Sequence, residues 1–218
     1  NIHEWEESVE QMSSQGLRPI AMAYKEVEGG NFKKAELLND LVLIGIVGFI
    51  DPAREDVKAI MEIYNKAGVK VVMMTGAHPK TAQKIAEDIG LLTKAEGESA
   101  LMEGKELDIV NIKTDESKKH LLSTKVFARV TPKQKLDLIT FFQKQNHVVG
   151  MFGDGINDVP ALIKSDIGIA MGKRGTEAAR EAADIILKDD RFGAVELAIR
   201  QGRVIYEHIR QFLVYLLS

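Results

Sequence analysis

The segment "GDGIND", residues 153–158, places two carboxylates and an asparagine directly after an apolar run. Asp154 has a glycine on each side, which lets the backbone turn sharply and leaves its carboxylate bare. A bare carboxylate is a ligand that hard cations such as Mg²⁺ prefer. Asn157 and Asp158 are expected to begin the next helix, whose N-terminus favours an anion. The segment therefore predicts a site for a metal ion and a phosphate.

Two other places in the chain offer groups that a phosphate needs. Thr75 supplies a hydroxyl after a second apolar run, and Gly76 lets backbone N–H groups approach an oxyanion closely. Lys135 lies one helical turn past Pro132, so its ammonium can reach back over the start of that helix. Oxyanion donors, a cation and a metal are together the requirements of phosphoryl transfer.

Each of these residues also has a purely structural explanation. The "TGA" at 75–77 can be a turn, and Lys135 can be a solvated helix lysine. Asp154 can form a turn, and Asn157 can be an N-cap. Two acids and an asparagine so close to a buried strand are costly unless they are ligands or caps, which favours a functional site at "GDGIND".

The composition narrows the class of protein. The 218 residues are 45% hydrophobic and 28% charged, which is ordinary for a globular protein. A formal net charge of -3 gives no footprint for nucleic-acid binding, and the lack of cysteine excludes disulfides and thiolate metal sites. No run reaches the ~18 apolar residues that span a bilayer. The ending "RQFLVYLLS" nevertheless turns apolar, as expected of a truncated membrane segment.

Strands and helices are expected to alternate regularly after residue 51. The predicted strands are 69–76, 125–130, 147–153, 166–172 and 184–190; the predicted helices are 57–64, 78–89, 132–145, 157–165, 175–183 and one from about 192 onward. This alternation predicts an α/β fold with a doubly wound parallel sheet, whose ligands bind beyond the carboxyl ends of the strands. The stretch 93–119 carries no clear pattern.

The first 50 residues do not alternate in this way. Helical spacing over 2–12 is followed by a predicted strand at 17–27, a turn at 28–31 and a second strand at 41–52. The pair Asp51-Pro52 is expected to end that strand and to mark a domain boundary. We therefore expect residues 1–50 to belong to a different domain.

Several motifs, in the same order, resemble the second half of a P-type cation-transporting ATPase. They are "TG" after a strand, "FARVTPKQK", "GDGINDVPAL", "SDIGIAMGKRGTEAAREAADIIL" and "GRVIYEHIRQFLVYLLS". The resemblance covers nearly the whole chain, and the last motif is most similar to the calcium- and sodium/potassium-type subgroup. It implies a phosphorylation domain of haloacid-dehalogenase type with a Rossmann-like sheet.

The resemblance also implies a division of the chain. Residues 1–50 would be the end of a nucleotide-binding domain with a hinge, 51–199 the phosphorylation domain, and 200–218 a stalk helix entering a membrane segment. The whole protein would be a multi-pass membrane pump that uses ATP and Mg²⁺ to move a cation, with this segment on the cytoplasmic side. The arginines around 200–210 agree with a cytoplasmic side there.

The roles implied by the resemblance fall on eight residues. Thr75 and Gly76 would hold the transferred phosphoryl group, and Lys135 would neutralise its charge. Asp154 would ligate Mg²⁺, with Asp158 orienting Lys135 and the metal shell. Asn157 would bond the phosphoryl oxygens or Lys135. Arg18 would meet the nucleotide phosphates, and Arg129 would lie near the ribose.

The chain departs from the family in three ways. The nucleophilic aspartate and its "DKTGT" motif do not occur in the sequence, so this chain alone is expected to be inactive. Ala77 stands where the family usually has the aspartate of "TGD", and Phe152 replaces a frequent threonine. Two alternatives to a pump fragment stay open, a soluble haloacid-dehalogenase-type phosphatase and an inactive module that binds nucleotide or Mg²⁺.

Overall fold

An antiparallel strand pair beside a helix makes up the first part of the chain. The computed structural model describes residues 2–27, 38–50, 54–107 and 114–217. Helix α1 (Ile2–Ser14) leads into β1 (Arg18–Tyr24), which pairs along its length with β2 (Val42–Phe49). The predicted helix and both predicted strands are confirmed. The predicted turn at 28–31 and the boundary at 51–52 lie outside the described residues.

In the described part of the chain, six parallel strands follow, in two sheets of three. One sheet has the order β3-β5-β4, with β3 (Met73–Met74), β4 (Leu101–Glu103) and β5 (Val126–Ala128). The other has the order β6-β7-β8, with β6 (Gly150–Gly153), β7 (Ile167–Met171) and β8 (Ile185–Leu187).

Helices alternate with these strands. They are α2 (Glu55–Lys66), α3 (Pro79–Asp88), α4 (Gly104–Leu107), α5 (Asp115–Ser123), α6 (Pro132–Lys144), α7 (Val159–Lys164), α8 (Glu177–Ala182) and α9 (Gly193–Leu217). Short 3₁₀ turns at Gly97–Ala100 and Ile156–Asp158 precede β4 and α7.

Strand β5 shows why the sheet must be covered on both faces. Val126 and Ala128 pack with Ala82 and other residues of the α3 side, whereas Phe127 between them packs with α5 and α6 on the opposite side. All three β5 residues are fully buried. A parallel strand with two buried faces requires helices on each side of its sheet, so the predicted doubly wound α/β fold is confirmed.

The two sheets approach each other at β3 and β6. Met74 of β3 and Met151 of β6 pack in one cluster around Ile139 of α6, so both strands lie against the same helix. Each is the end strand of its sheet, and the two are not hydrogen-bonded to each other. Within the described residues, each strand therefore has one edge without a β partner.

Helix α6 begins with a complete capping box. The Thr131 hydroxyl accepts the Gln134 backbone N–H at 3.2 Å, and Gln134 Oε1 accepts the Thr131 backbone N–H at 2.9 Å. Pro132 occupies the first helical position, where its missing N–H costs nothing. These contacts fix the residue at which α6 starts.

Two predictions for the sheet region differ from the structure. The strand expected over 69–76 is regular only at Met73–Met74, although Thr75 N–H still bonds Phe127 carbonyl at 2.9 Å. The stretch 93–119, which carried no prediction, contains β4, α4 and the first part of α5. Strand β4 has three residues, which is too short for a period of two to show in the sequence.

Helix α9 ends the described chain. It runs from Gly193 to Leu217, close to the predicted start at 192, and every described residue from 201 onward is exposed. None of the helices that the structure describes is both long and apolar enough to cross a membrane.

The ion pair between Glu96 and Lys125 supports a prediction about pH. Lys125 Nζ lies 2.6 Å from Glu96 Oε1, and the Thr93 N–H donates to Oε2, so these contacts lower the pKa of Glu96 to about 2. Because the folded pKa lies below the ordinary value, the stabilisation is present above about pH 4.5 and is lost as the pH falls towards 2.

We therefore expect Glu96→Gln to lower the free energy of unfolding by about 1 kcal/mol at pH 7, since both side chains are partly exposed to screening solvent. Urea unfolding at several pH values measures this, with Glu62→Gln, an exposed helix residue, as the control. The difference from the unchanged chain should shrink between pH 4.5 and 2. A difference that does not depend on pH would contradict the assignment.

Candidate functional site

A buried ion pair joins α6 to the "GDGIND" segment. Lys135, in the first turns of α6, places its Nζ 2.6 Å from Asp158 Oδ1. The two side chains are only 13% and 12% exposed. The pair brings together two of the predicted site residues that lie 23 positions apart in the sequence. Lys135 is therefore not a solvated helix lysine.

The glycines beside Asp154 provide space. Neither Gly153 nor Gly155 has a positive φ, so neither glycine is needed for a left-handed backbone conformation. A Cβ at Gly153 would lie 2.7 Å from Asp158 Cβ and 3.2 Å from the Leu162 side chain. Glycine at 153 thus lets Asp158 approach β6. The Gly155 N–H also bonds Asp158 Oδ2, at 3.4 Å.

Asp154 presents its carboxylate to solvent. The residue is exposed, and its carboxylate has no hydrogen bond or ion pair within the part of the chain that the structure describes. Its backbone carbonyl, in contrast, accepts the Thr176 N–H at 2.8 Å. The backbone is held while the side chain stays open to a ligand, so Asp154 does not serve merely as a side-chain turn former.

Asn157 lies in the 3₁₀ turn before α7, not at the start of the helix itself. The N-cap position of α7 is Asp158, so the alternative in which Asn157 caps this helix is wrong. Asn157 is exposed, and among the described residues its amide bonds neither Lys135 nor another group. Its contact with phosphoryl oxygens stays a prediction.

Thr75 and Gly76 follow β3 in a tight, open turn. The Thr75 hydroxyl accepts the Ala77 N–H at 3.1 Å, and the Val130 N–H bonds the Thr75 carbonyl at 3.1 Å. Gly76 is exposed, and a Cβ there would meet no atom within 4 Å. The turn predicted as the structural alternative is present, and it also leaves space beside the Gly76 backbone.

Arg129 lies next to this turn. It has a φ of 52°, and its N–H bonds the Ala77 carbonyl at 3.2 Å. His78, the N-cap of α3, accepts the Lys80 N–H, as expected of a helix-start residue. Burial lowers the pKa of His78, and the charge of Arg129 lowers it further. The structure thus brings Arg129 beside "TGAH", where Ala77 makes its contacts through the backbone alone.

Arg18 follows Leu17, which contacts α3. The Thr81 hydroxyl donates to the Leu17 carbonyl at 3.1 Å, and Lys80 forms an ion pair with Glu10 at 3.2 Å. These contacts place the start of β1 against the helix that follows "TGAH". Arg18 itself is exposed and makes no described contact with Thr75 or Gly76, so its role towards a nucleotide stays a prediction.

The sequence matches a known family over most of its length. Residues 5–166 match the haloacid dehalogenase-like hydrolases, and residues 135–199 match a second family of the same description. The chain belongs to the haloacid dehalogenase-like hydrolase family. The first match includes Thr75, Lys135, Asp154 and Asp158, so the candidate site lies inside the family's region.

This haloacid dehalogenase-like chain is also similar to several cation pumps. It is 42% identical over 217 residues to the calcium-transporting ATPase of Bacillus subtilis, covering 99% of this chain and 24% of the relative. It is 43% identical over 216 residues to the cation-transporting ATPase pma1 of Synechocystis, covering 98% and 23%. Calcium-transporting ATPase 1 of Lactococcus lactis is 44% identical over 213 residues, with 96% and 23% covered.

The chain therefore spans about a quarter of the length of these curated relatives. Their names confirm the resemblance to cation-transporting ATPases that the motifs indicated. The parallel sheets and the family match likewise confirm the haloacid-dehalogenase-type fold.

A magnesium ion fits this haloacid dehalogenase-like site only if other groups complete its coordination. No three His, Asp or Glu side chains in the described ranges lie close enough to hold a metal together. Asp154 offers one open carboxylate, whereas Asp158 is engaged by Lys135 and the Gly155 N–H. Mg²⁺ commonly keeps one or two protein carboxylates and takes its remaining oxygens from water and phosphate. The residues present fit that pattern, and Asp154 stays the predicted ligand.

Two residues that contribute to the geometry of the site were not predicted from the sequence. Thr176, in the loop after β7, holds the Asp154 carbonyl through its backbone N–H. Asp190, with a φ of 57° and 2% exposure, accepts the N–H groups of Lys173 and Arg174 in the same loop. Thr176 acts through its backbone N–H, and Asp190 has an unusual φ and binds backbone N–H groups. The type of a residue indicates neither feature.

Proposed function

We propose that this haloacid dehalogenase-like chain is the phosphorylation region of an ATP-driven cation pump that forms an aspartyl phosphate. The observation that carries the proposal is the buried Lys135–Asp158 pair beside the open carboxylate of Asp154. A fixed ammonium next to a free metal ligand suits a transferred phosphoryl group, whose charge must be neutralised from several sides.

In the proposed reaction, a carboxylate oxygen of an aspartate forms a bond to the γ-phosphorus of ATP while the bond to the ADP oxygen breaks. Lys135 would lie against the developing charge, held in place by Asp158. The Thr75 hydroxyl and the Gly76 backbone would hold phosphoryl oxygens in the open turn after β3. Bound Mg²⁺ would supply charge neutralisation at Asp154, and Asn157 would bond the phosphoryl group from the exposed 3₁₀ turn.

The two unpartnered strand edges support a nucleophile supplied from outside this chain. Strands β3 and β6 pack on the same helix, and each lacks a β partner on one side among the described residues. An additional parallel strand between them would end between Thr75 and Asp154. An aspartate at that strand's carboxyl end would then face the metal ligand and the phosphoryl donors.

The remaining roles follow from the same proposal. Residues 1–50 would be the end of a nucleotide-binding domain and 51–199 the phosphorylation domain, with Arg18 and Arg129 meeting ATP. Residues 200–218 would be a stalk leading to the membrane, with the segment described here on the cytoplasmic side. The transported cation would bind in membrane helices elsewhere in the protein. The names of the calcium-transporting relatives favour a hard cation.

Magnesium binding to the isolated chain tests the site. We expect Asp154→Asn to weaken Mg²⁺ binding at least about tenfold, because the substitution removes the charge of the open ligand. The titration is followed by amide chemical shifts of residues 153–158 in the ¹⁵N-labelled chain. Asp56→Asn, which changes an exposed carboxylate on α2, serves as the matched control. Equal Mg²⁺ affinities for the two variants would refute the assignment.

A phosphatase assay distinguishes the proposed pump fragment from the alternative, a soluble phosphatase. Without an attacking aspartate, the chain alone is expected not to hydrolyse p-nitrophenyl phosphate in the presence of Mg²⁺. If the unchanged chain does hydrolyse this ester and Asp154→Asn abolishes the activity, the result would favour a self-contained phosphatase. It would contradict the proposed pump fragment. The parent reading frame gives an independent check, since a pump requires a "DKTGT" motif upstream.

A further inference from the structure

Residues 190–193, here called the α9 junction, lie after β8 and include the first residue of the long helix. The Asp190 carbonyl accepts a hydrogen bond from the Arg54 guanidinium, and the Phe192 carbonyl accepts one from the Tyr64 hydroxyl at 3.0 Å. The Asp190 carboxylate accepts the Lys173 and Arg174 N–H groups at 3.0 and 3.1 Å. The junction is therefore tied both to α2 and to the loop after β7.

A ring contact joins the α9 junction to β6, the strand that precedes Asp154. Phe152 lies two residues before Asp154 in β6, and its ring centroid is 5.0 Å from that of Phe192, with the planes at 48°. Both rings are half-buried. This tilted arrangement is within the range of favourable aromatic pairs.

A second connection reaches Asp154 from its other side. The Thr176 N–H bonds the Asp154 carbonyl at 2.8 Å, and Thr176 follows the loop whose Lys173 and Arg174 N–H groups are held by Asp190. Asp154 is thus bracketed by Phe152 and by Thr176, and both lead to the same junction. Two sets of contacts therefore connect the backbone around Asp154 to the junction.

We propose that Phe152 is a positioning residue that couples Asp154 to the start of α9 through its contact with Phe192. Ligand binding at Asp154 and the position of the α9 junction then depend on each other. The inference rests on the proposed function, because it takes Mg²⁺ as the ion that Asp154 binds. Threonine, which is frequent at this position in the pumps that the sequence resembles, has no ring to reach Phe192.

Magnesium titration of the complete 218-residue chain tests the coupling. We expect Mg²⁺ to shift the amide signals of residues 153–158 and also those of 191–195. Phe152→Thr should keep the shifts at 153–158 and reduce those at 191–195 at least about threefold. Phe152→Leu retains apolar bulk and should reduce the shifts at 191–195 less. Ile163→Thr, at an exposed position on α7, is the control that should change neither set.

Hydrogen exchange without metal provides a second measurement. Loss of the ring pair in Phe152→Thr should raise the exchange of amides 192–196 about tenfold, the order expected for one aromatic contact. Phe192→Leu should have a similar effect, and the double variant should add little to either, because both changes remove one interaction.

The outcomes separate this inference from the proposed function. Mg²⁺ shifts at 153–158 together with an unreduced response at 191–195 in Phe152→Thr would overturn the coupling and leave the metal site intact. Additive exchange effects of the two aromatic changes would overturn it as well. No Mg²⁺ shift at 153–158 in the unchanged chain would refute the proposed metal site, and with it the coupling.

Discussion

Replacing Lys135 by methionine is expected to lower the free energy of unfolding by about 3 kcal/mol. Methionine keeps most of the side-chain length but removes the ammonium that lies 2.6 Å from Asp158. Asp158, only 12% exposed, would then hold its charge without the partner that compensates its burial. Removing one member of a buried pair typically costs about 3–5 kcal/mol, because the remaining charge is left unpaired.

Urea unfolding of three variants measures this interaction. Asp158→Asn alone should also destabilise the chain, but Lys135→Met combined with Asp158→Asn should cost less than the sum of the two changes. Lys133→Met, on the exposed side of the same helix turn, is the matched control and should stay within about 0.5 kcal/mol. If Lys135→Met lowers the free energy of unfolding no more than this control does, the ion pair contributes little to stability.

Replacing Gly175 by alanine is expected to cost about 3 kcal/mol and to weaken Mg²⁺ binding. A Cβ at this position would lie 2.1 Å from the Met171 carbonyl oxygen, so the backbone of the loop must move. The next residue, Thr176, donates the hydrogen bond that holds the Asp154 carbonyl. Movement of the loop therefore displaces the proposed metal ligand as well as reducing stability.

Gly202→Ala provides the matched control for this change. Gly202 lies inside α9, and a Cβ there would meet no atom within 4 Å. Since alanine favours a helix over glycine, this variant should gain about 0.5–1 kcal/mol. Thermal unfolding measures the change in stability, and the Mg²⁺ titration measures the change in Mg²⁺ affinity. A Gly175→Ala chain that is as stable as the unchanged chain and binds Mg²⁺ equally would contradict the described loop geometry.

The alternation of strands and helices was sufficient to predict the fold. Buried parallel strands such as 126–128 are continuous apolar runs bounded by turns, and that pattern depends only on local sequence. Strand β4 escaped prediction because three residues inside a polar stretch carry no period. The separation of the six strands into two sheets also could not be predicted, since the pairing of edges is set by distant parts of a protein.

The candidate site was predictable in its residue types but not in its contacts. The carboxylates of "GDGIND" were identified because charged groups beside a buried strand need a reason to be there. Lys135 was identified because it lies one helical turn past Pro132. Their direct pairing, 2.6 Å apart, depends on how α6 packs against β6 and not on spacing within either motif. The glycines were assigned to a sharp turn, whereas Gly153 is required because Asp158 leaves no room for a Cβ.

The capping box of α6 has a consequence for the direction in which Lys135 points. Successive residues of an α-helix are rotated by about 100° around its axis, so a start displaced by one residue would swing the lysine away from Asp158. Thr131 and Gln134 allow only one starting residue, since each bonds the backbone of the other. The rotational phase of the helix is therefore set before any ligand arrives. Thr131 and Gln134 thus determine where the positive charge of the proposed site is aimed, although neither needs to touch a phosphate.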